Sequence, residues 1–491
     1  MSTYKEILRS SVIVGGSQLV IILIGTVRTK IMAILLGPEG IGLTGLYQTA
    51  IGVIGNMTAL GLGYSGIRMI AEANGAGDLE RVARVYAVLK RIPVWLGLIG
   101  FGVVVILRNQ LASHTFGDAS YGIGVAIVGS MLLFFGLQTP FSGLMQGMRR
   151  IDDLAIYNIL GTAAGTVLGI AFIYLWHTNG IAPALAVGAA STVVTSWWFT
   201  RNIHLPRIKV SLLETWQTTI HLSRVGLALT FTGLVGASAA YLTRWILVHW
   251  LGMGAVGLYQ ATWTLASLYV NVILGAMGTD FYPRLTGVCN DNDKMNTLVK
   301  EQVEMGVLMA TPGILLILVF APLILHIFYS SAFLPAAEII RWQVLGVAAR
   351  VMFWPLSYVP LAKGDSRLYM FTDGSLNLIL LLTLGAGVRL WGLRGAGIAF
   401  LIGNIIHGAL LWAVCRRVTK LDFNHQTLRP LILCLVSSVA VFLAVTFLGT
   451  AVGPLLGSVV LCSVSFICVM KISRLLGGNL LAQTLRLLRL A

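Results

Sequence analysis

The chain has 491 residues, 57% hydrophobic and 11% charged, with a mean hydropathy of +0.86, whereas soluble proteins carry roughly 25% charged residues. That balance excludes a water-soluble globular fold, and the formal charge of +16 is no nucleic-acid signature, because of where the cations fall. Apolar runs of about 20 residues, enough to cross a ~30 Å hydrocarbon core as helices, predict an all-α polytopic membrane protein.

About fourteen spans are predicted, over roughly 11–36, 41–67, 92–111, 120–143, 155–176, 181–200, 225–250, 256–280, 305–328, 335–360, 369–388, 395–415, 430–449 and 454–470. With the N-terminus inside, 26 of the 34 Lys and Arg lie in cytoplasmic segments, three lie outside or at the outer end of a span (Arg108, Arg389, Arg394) and five lie deeper within spans. The positive-inside rule then places both termini in the cytoplasm. Lys5 and Arg9 precede the first span as in a signal sequence. The span is too long for a signal-peptide core and ends without an Ala-x-Ala site, so it reads as a retained anchor.

The first span carries Arg28 and Lys30 and runs into Gly40-Ile41-Gly42-Leu43-Thr44-Gly45-Leu46-Tyr47-Gln48. A cytoplasmic stretch from Arg68 to Arg91 follows, broken at Asn74-Gly75-Ala76-Gly77. Asp78 is placed to cap a short helix leading into span three. An outside loop comes around His114-Thr115-Phe116, Pro140 ends span four, Arg149-Arg150 makes a basic turn, and spans five and six close the half. The linker Arg201–Arg224 is the natural boundary.

The second half repeats the plan. Gly252-Met253-Gly254-Ala255-Val256-Gly257-Leu258-Tyr259-Gln260 returns the glycines and the Gly-Leu-Tyr-Gln end 212 positions on, behind a span carrying Arg244. The loop Arg284–Glu304 matches Arg68–Arg91, and His326-Ile327-Phe328 echoes His114-Thr115-Phe116 at the same shift. Pro355, Gly395 and Arg416 echo Pro140, Gly180 and Arg201 at a shift of 215. An even number of spans per half makes the repeat parallel, about an axis along the membrane normal. The expected organisation is two pseudo-symmetric six-helix lobes, 1–210 and 211–421, around a central cavity. Residues 422–491 add two helices and a basic tail whose leucines and arginines, Lys471 to Arg489, suit an interfacial amphipathic helix.

Ionisable residues inside spans are functional candidates, since each costs about 2.5–3.5 kcal/mol at the bilayer centre. Arg28 and Arg244 occupy equivalent spans and would face each other across the central cavity, with mid-span Arg350 as a third cation. Guanidiniums form bidentate pairs with phosphate oxygens, so the ligand they suggest is anionic and phosphorylated. Each could instead snorkel or pair with a carboxylate such as Glu39. Lys30 lies on another face of the helix and snorkels outward. Glu338 and Arg341, at i, i+3, suit a local ion pair, and Asp280 suits a helix-end pair with Arg284.

Asp373 and Asn377, at i, i+4, are candidates for cation coupling or a structural hydrogen-bonded pair, and Asn404 and His407 read as packing residues. Tyr47, Gln48, Tyr259 and Gln260 could contact a sugar or anchor at the interface. Pro140 and Pro355 are candidate hinges. The five cysteines lack CxxC spacing, and neither a cofactor nor a metal site is expected. Short outside loops and the lack of phosphate-loop or HExxH motifs argue against an enzyme.

Leu36-Gly37-Pro38-Glu39-Gly40-Ile41-Gly42, behind an arginine-bearing first span, resembles the Wzx-type flippases of the polysaccharide transport family. These belong to the multidrug/oligosaccharidyl-lipid/polysaccharide exporter superfamily. The resemblance implies a bacterial inner-membrane flippase that moves undecaprenyl-pyrophosphate-linked oligosaccharide, such as an O-antigen unit, to the periplasmic leaflet by alternating access. By similarity Arg28, Arg244 and Arg350 would hold the pyrophosphate, and polymerase or other assembly proteins would be partners. The two extra helices look more like lipid II flippases, and no acidic residue lies within span one, unlike the drug-exporting branch. A drug or small-solute antiporter on the same fold, a membrane polymerase or ligase, and a non-transporting scaffold remain alternatives at this point.

Overall fold

The computed structural model describes residues 3–206 and 208–475. Among these, every regular element is helical. In chain order they are α1 (Thr3–Ala59), α2 (Leu62–Gly75), α3 (Leu79–Ile106), α4 (Arg108–Phe116), α5 (Gly122–Gly147), α6 (Ile151–Trp176) and α7 (Ile181–Thr200). There follow α8 (Leu212–Leu251), α9 (Met253–Gly287), α10 (Asn292–Phe328), α11 (Ala337–Phe353), α12 (Tyr358–Ala362), α13 (Ser366–Thr419), α14 (His425–Phe447) and α15 (Gly449–Leu475). Among the described residues eleven stretches are long and apolar enough to span a membrane, and three of them run 47, 50 and 54 residues. Since about 20 residues cross the hydrocarbon, each long stretch makes two crossings, which gives the fourteen expected. The basic tail beyond Leu475 and the linker residue Arg207 lie outside the described residues.

The breaks that divide the long stretches have clear causes. Gly37 sits inside α1 at φ 62°, ψ −164° and is followed by Pro38. Glycine tolerates the left-handed region, and proline at the start of the next helix loses no needed N–H. Gly392 plays the same part within α13 at φ 57°. Between α6 and α7 the break is the 3-10 turn His177–Gly180, with His177 at φ 49°. Helix starts are capped by acceptors: Asp78 takes the Arg81 N–H, Ser211 that of Glu214, Asp365 that of Leu368 and Asn424 that of Thr427, at 2.8–3.1 Å. Asp78 thus caps as expected, although α3 runs unbroken from it into the third span.

The backbone carries the internal repeat. Left-handed residues Gly37, Arg149 and His177 have counterparts in Gly252, Gly364 and Gly392, 215 positions on in each case. The break at Gly252 therefore corresponds to Gly37, whereas the Gly-Leu-Tyr-Gln ends match at 212. Three residues are missing from the second copy between these two landmarks, and the original register returns before Pro355.

By packing, the chain forms two compact units, one of residues up to Gly257 with Phe328–Ser330, the other of Leu258–Ile327 and the chain from Ser331. In the first unit one apolar cluster joins Leu43, Tyr47 and Ile51 of α1 to Val104 of α3, Val125 and Leu132 of α5 and Ile181 of α7. A second joins Leu62 and Ile70 of α2 to Val82 and Leu89 of α3 and takes in Val210 and Leu222 from the linker side. The linker is tied there too. Arg91 donates to the Val210 carbonyl at 2.8 Å, and Arg84 pairs with Glu214 at 3.2 Å.

In the second unit α11 and α13 approach closely at Gly346, where an added methyl would lie 2.5 Å from the Phe400 ring, and at Gly397, 2.8 Å from the Ile339 carbonyl. The two added helices lean on this core. Trp342 of α11 packs on Phe442 of α14 at 4.6 Å, and Lys471 of α15 pairs with Glu304 of α10 at 2.6 Å.

Candidate functional site

Arg28 and Arg244 both fall in the first unit, because α8 packs there through small residues. A methyl at Gly233 of α8 would come within 2.6 Å of Asn56 Oδ1 on α1. Near the break, α1 and the start of α9 cross at Gly42 and Gly257. A methyl at Gly42 would overlap the Met253 carbonyl, and one at Gly257 would overlap that of Pro38. Gly42 and Gly257 of the repeated motif are therefore close-approach positions, and they are themselves 215 apart.

Arg28 is half-buried, and among the described residues no hydrogen bond or ion pair engages its guanidinium. Arg244 is 7% exposed, and its Nη1 donates to Ala240 O one turn back at 2.9 Å. On either side of it α8 is fastened to α4, through Tyr241 Oη and Thr115 Oγ1 at 3.0 Å and through Trp245 Nε1 donating to His114 O at 2.8 Å. Nothing in the sequence pairs these segments. The His-Thr-Phe stretch read only as an outside loop, yet it is what fixes the helix that bears Arg244.

The tyrosines of the motif are interior residues. Tyr47 is 4% exposed and its ring packs on Phe116 at 4.9 Å, with Phe116 stacked on Tyr121 at 4.9 Å. Gly124 leaves the room that the Tyr47 hydroxyl takes. Gln48 is exposed. In the second unit Tyr259 is 7% exposed, and Gln260 is half-buried with its amide 3.4 Å from Thr264 Oγ1.

The second unit holds a cavity of about 350 Å³ whose wall includes Arg350 of α11, Tyr358 of α12, and Tyr369, Asp373, Asn404 and His407 of α13. The break at Gly392 folds α13 back on itself, so that His407 reaches the Thr372 carbonyl at 3.0 Å. The nitrogen facing that carbonyl, Nε2, must carry the proton and donate. Asn404 donates to Phe400 O at 2.7 Å. Both side chains are satisfied packing residues, as expected, and both also line the cavity.

Asn377 donates to the main-chain carbonyl of Asp373 at 3.4 Å. Asp373 lines the cavity, while Asn377 is absent from its wall. Arg350 and Asp373, read from the sequence as parts of two different sites, thus face one space. Among the described residues they form no ion pair with each other or with any other group.

Elsewhere Asp280 and Arg284 pair at 3.0 Å at the end of α9. Glu338 pairs with Arg394 at 2.9 Å and not with Arg341, because the Gly392 break carries Arg394 to the start of α11. Pro140 is buried inside a continuous α5, whereas its counterpart Pro355 lies in the 3-10 turn Trp354–Ser357 that ends α11.

The polysaccharide biosynthesis protein family matches residues 7–288. The lipid III flippases of Escherichia coli and Shigella flexneri are each 22% identical over 421 residues, covering 83% of this chain and 97% of theirs. Among solved structures, an inward-facing multidrug resistance MATE family transporter of the MOP superfamily aligns with a TM-score of 0.71 at 17% identity, over 81% of this chain and 94% of its own. The lipid II flippase MurJ, in an inward closed conformation, aligns with a TM-score of 0.68 at 12% identity, over 96% of this chain and 99% of its own. Coverage of 96% takes in most of α14 and α15, so the two added helices are part of the shared fold.

Proposed function

The chain belongs to the polysaccharide biosynthesis protein family, and from that premise we propose that it is a flippase for lipid-linked oligosaccharide. It would carry the headgroup from the cytoplasmic to the periplasmic leaflet of a bacterial inner membrane. Undecaprenyl-pyrophosphate-linked glycan, with an O-antigen or related surface-polysaccharide unit, is the cargo we favour. The positive-inside charge pattern supports cytoplasmic termini.

The observation that carries the reading is Arg28. Its guanidinium lies half-buried in a membrane-spanning helix without a partner among the described residues. An arginine in that setting is costly unless a ligand or water-filled cavity meets it, and a pyrophosphate meets it with charge-assisted, bidentate hydrogen bonds. Buried Arg244 is the second cation and Arg350 the third. Gln48 and Gln260, being exposed and half-buried, suit sugar contacts better than Tyr47 and Tyr259, whose rings are enclosed.

Transport runs by alternating access, with Pro140 and Pro355 as the hinge positions. Asp373 supports coupling to a cation gradient. Asn377 serves by holding the Asp373 main chain.

The test is flipping of pyrophosphate-linked glycolipid in liposomes by the unmodified protein and by Arg28→Ala. A bidentate charge-assisted contact is worth about 1.5–3 kcal/mol, so the rate should fall about tenfold to a hundredfold. Unchanged flipping by Arg28→Ala would remove the site assignment. Export of small drugs with no flipping by the unmodified protein would favour the antiporter reading instead.

A further inference from the structure

The second unit carries a groove of opposite character to its polar cavity. It has a volume of about 360 Å³, and its wall includes Phe353 of α11, Ala409 and Trp412 of α13, and Leu428 and Leu431 of α14. Along α14 the lining leucines continue into Leu435 and Val439, which are 56% and 39% exposed, and along α13 Ala409 continues into exposed Ile405. These steps of three or four residues keep to one helix face. Both walls therefore run out into the lipid-facing surface, and the groove opens to hydrocarbon.

Its cytoplasmic end is cationic. Arg416, Arg417, Lys420 and Arg429 are all exposed there, with Asp422 as the one carboxylate in the same stretch. The guanidinium of Arg416 lies over the Trp412 ring, 5.1 Å from its centroid, and Arg429 follows the lining residue Leu428. Among the described residues none of the four cations has an ion-pair partner. Positive-inside topology alone would gather cations at this end. It does not account for an arginine stacked on the ring that walls an apolar groove.

We propose that this groove binds one acyl chain of an anionic glycerophospholipid, with the lipid phosphate held by Arg416 and Arg429. The volume suits about a dozen methylenes, taking each as near the ≈ 30 Å³ share of a liquid water. Arginine presents the planar fork that phosphate oxygens accept.

The experiment uses the full-length protein, delipidated in detergent and titrated with phosphatidylglycerol or phosphatidylcholine of identical chains, with adducts counted by native mass spectrometry. The unmodified protein should prefer phosphatidylglycerol. The double variant R416Q/R429Q should lose about thirtyfold in its affinity, the equivalent of ~1 kcal/mol per cation. Both changes are at exposed positions and leave the core intact. Ala409→Trp, which fills the groove, should abolish the adduct with either lipid. Equal binding of the two lipids overturns the proposal, as does a phosphatidylglycerol preference that survives in R416Q/R429Q. Undecaprenyl phosphate forming the adduct where phosphatidylglycerol does not would assign the groove to cargo, and dimers lost on Ala409→Trp would assign it to a second copy; either result also overturns it.

Discussion

Replacing Gly257 by alanine tests the crossing on which the repeat turns. The added methyl would overlap the Pro38 carbonyl and lie 3.0 Å from the Gly42 nitrogen. Both obstacles are backbone, so no side-chain rotation relieves them, and α1 and α9 must separate. Overpacking of a tight contact costs about 1–3 kcal/mol. Taking ~2 kcal/mol, and about 2–4 °C per kcal/mol for a unit of this size, the midpoint should fall by about 4–8 °C. Gly42→Ala should behave alike, since its methyl would overlap the Met253 carbonyl and sit 2.9 Å from the Gly257 nitrogen. The control is Gly236→Ala in α8, which meets nothing within 4 Å and should hold or gain up to ~1 kcal/mol from reduced chain entropy. Thermal unfolding followed by size-exclusion fluorescence in one detergent measures all three. Midpoints for Gly257→Ala and Gly42→Ala equal to the control would refute the close crossing.

Other outcomes follow from the cavity and the surface pairs. Asp373→Asn should uncouple flipping from an imposed cation gradient while leaving downhill flipping measurable; full gradient dependence in that variant would take the residue out of consideration. Glu338→Gln breaks a pair whose partners are about half exposed, 48% and 49%, so its cost should stay within ~1 kcal/mol, and a midpoint fall beyond about 4 °C would show the pair to be worth more. Phe116→Ala removes the half-buried ring between Tyr47 and Tyr121 and should destabilise by about 2 kcal/mol, a loss visible in the same unfolding assay; an unshifted midpoint would mean that the aromatic stack does not hold α4.

What was legible in the sequence was what one dimension carries. Hydropathy found the fourteen crossings, because each apolar run meets the length that lipid demands. The repeat was legible through Tyr-Gln, His-x-Phe and proline matches. The true correspondence of Gly37 with Gly252 needed the backbone, since glycine identity alone does not reveal a left-handed φ. Partners distant in sequence were out of reach. Arg350 and Asp373 lie on α11 and α13, and neither helix says which of its faces meets the other. Glu338 has Arg341 one turn away, a reasonable local partner, but the chain reversal at Gly392 supplies Arg394. The same applies to Trp245 and His114, 131 residues apart, whose contact steadies the helix carrying Arg244.

The most direct test of the central claim is the initial rate of flipping of undecaprenyl-pyrophosphate-linked glycan in proteoliposomes. The rate would be compared among the unmodified protein, Arg28→Ala, Arg244→Ala and Arg28→Lys, each shown to be folded by its unfolding midpoint. Both alanine variants should flip about tenfold to a hundredfold more slowly, with Arg28→Lys intermediate because lysine keeps the charge and loses the bidentate fork. Flipping at the unmodified rate by both alanine variants would contradict the account.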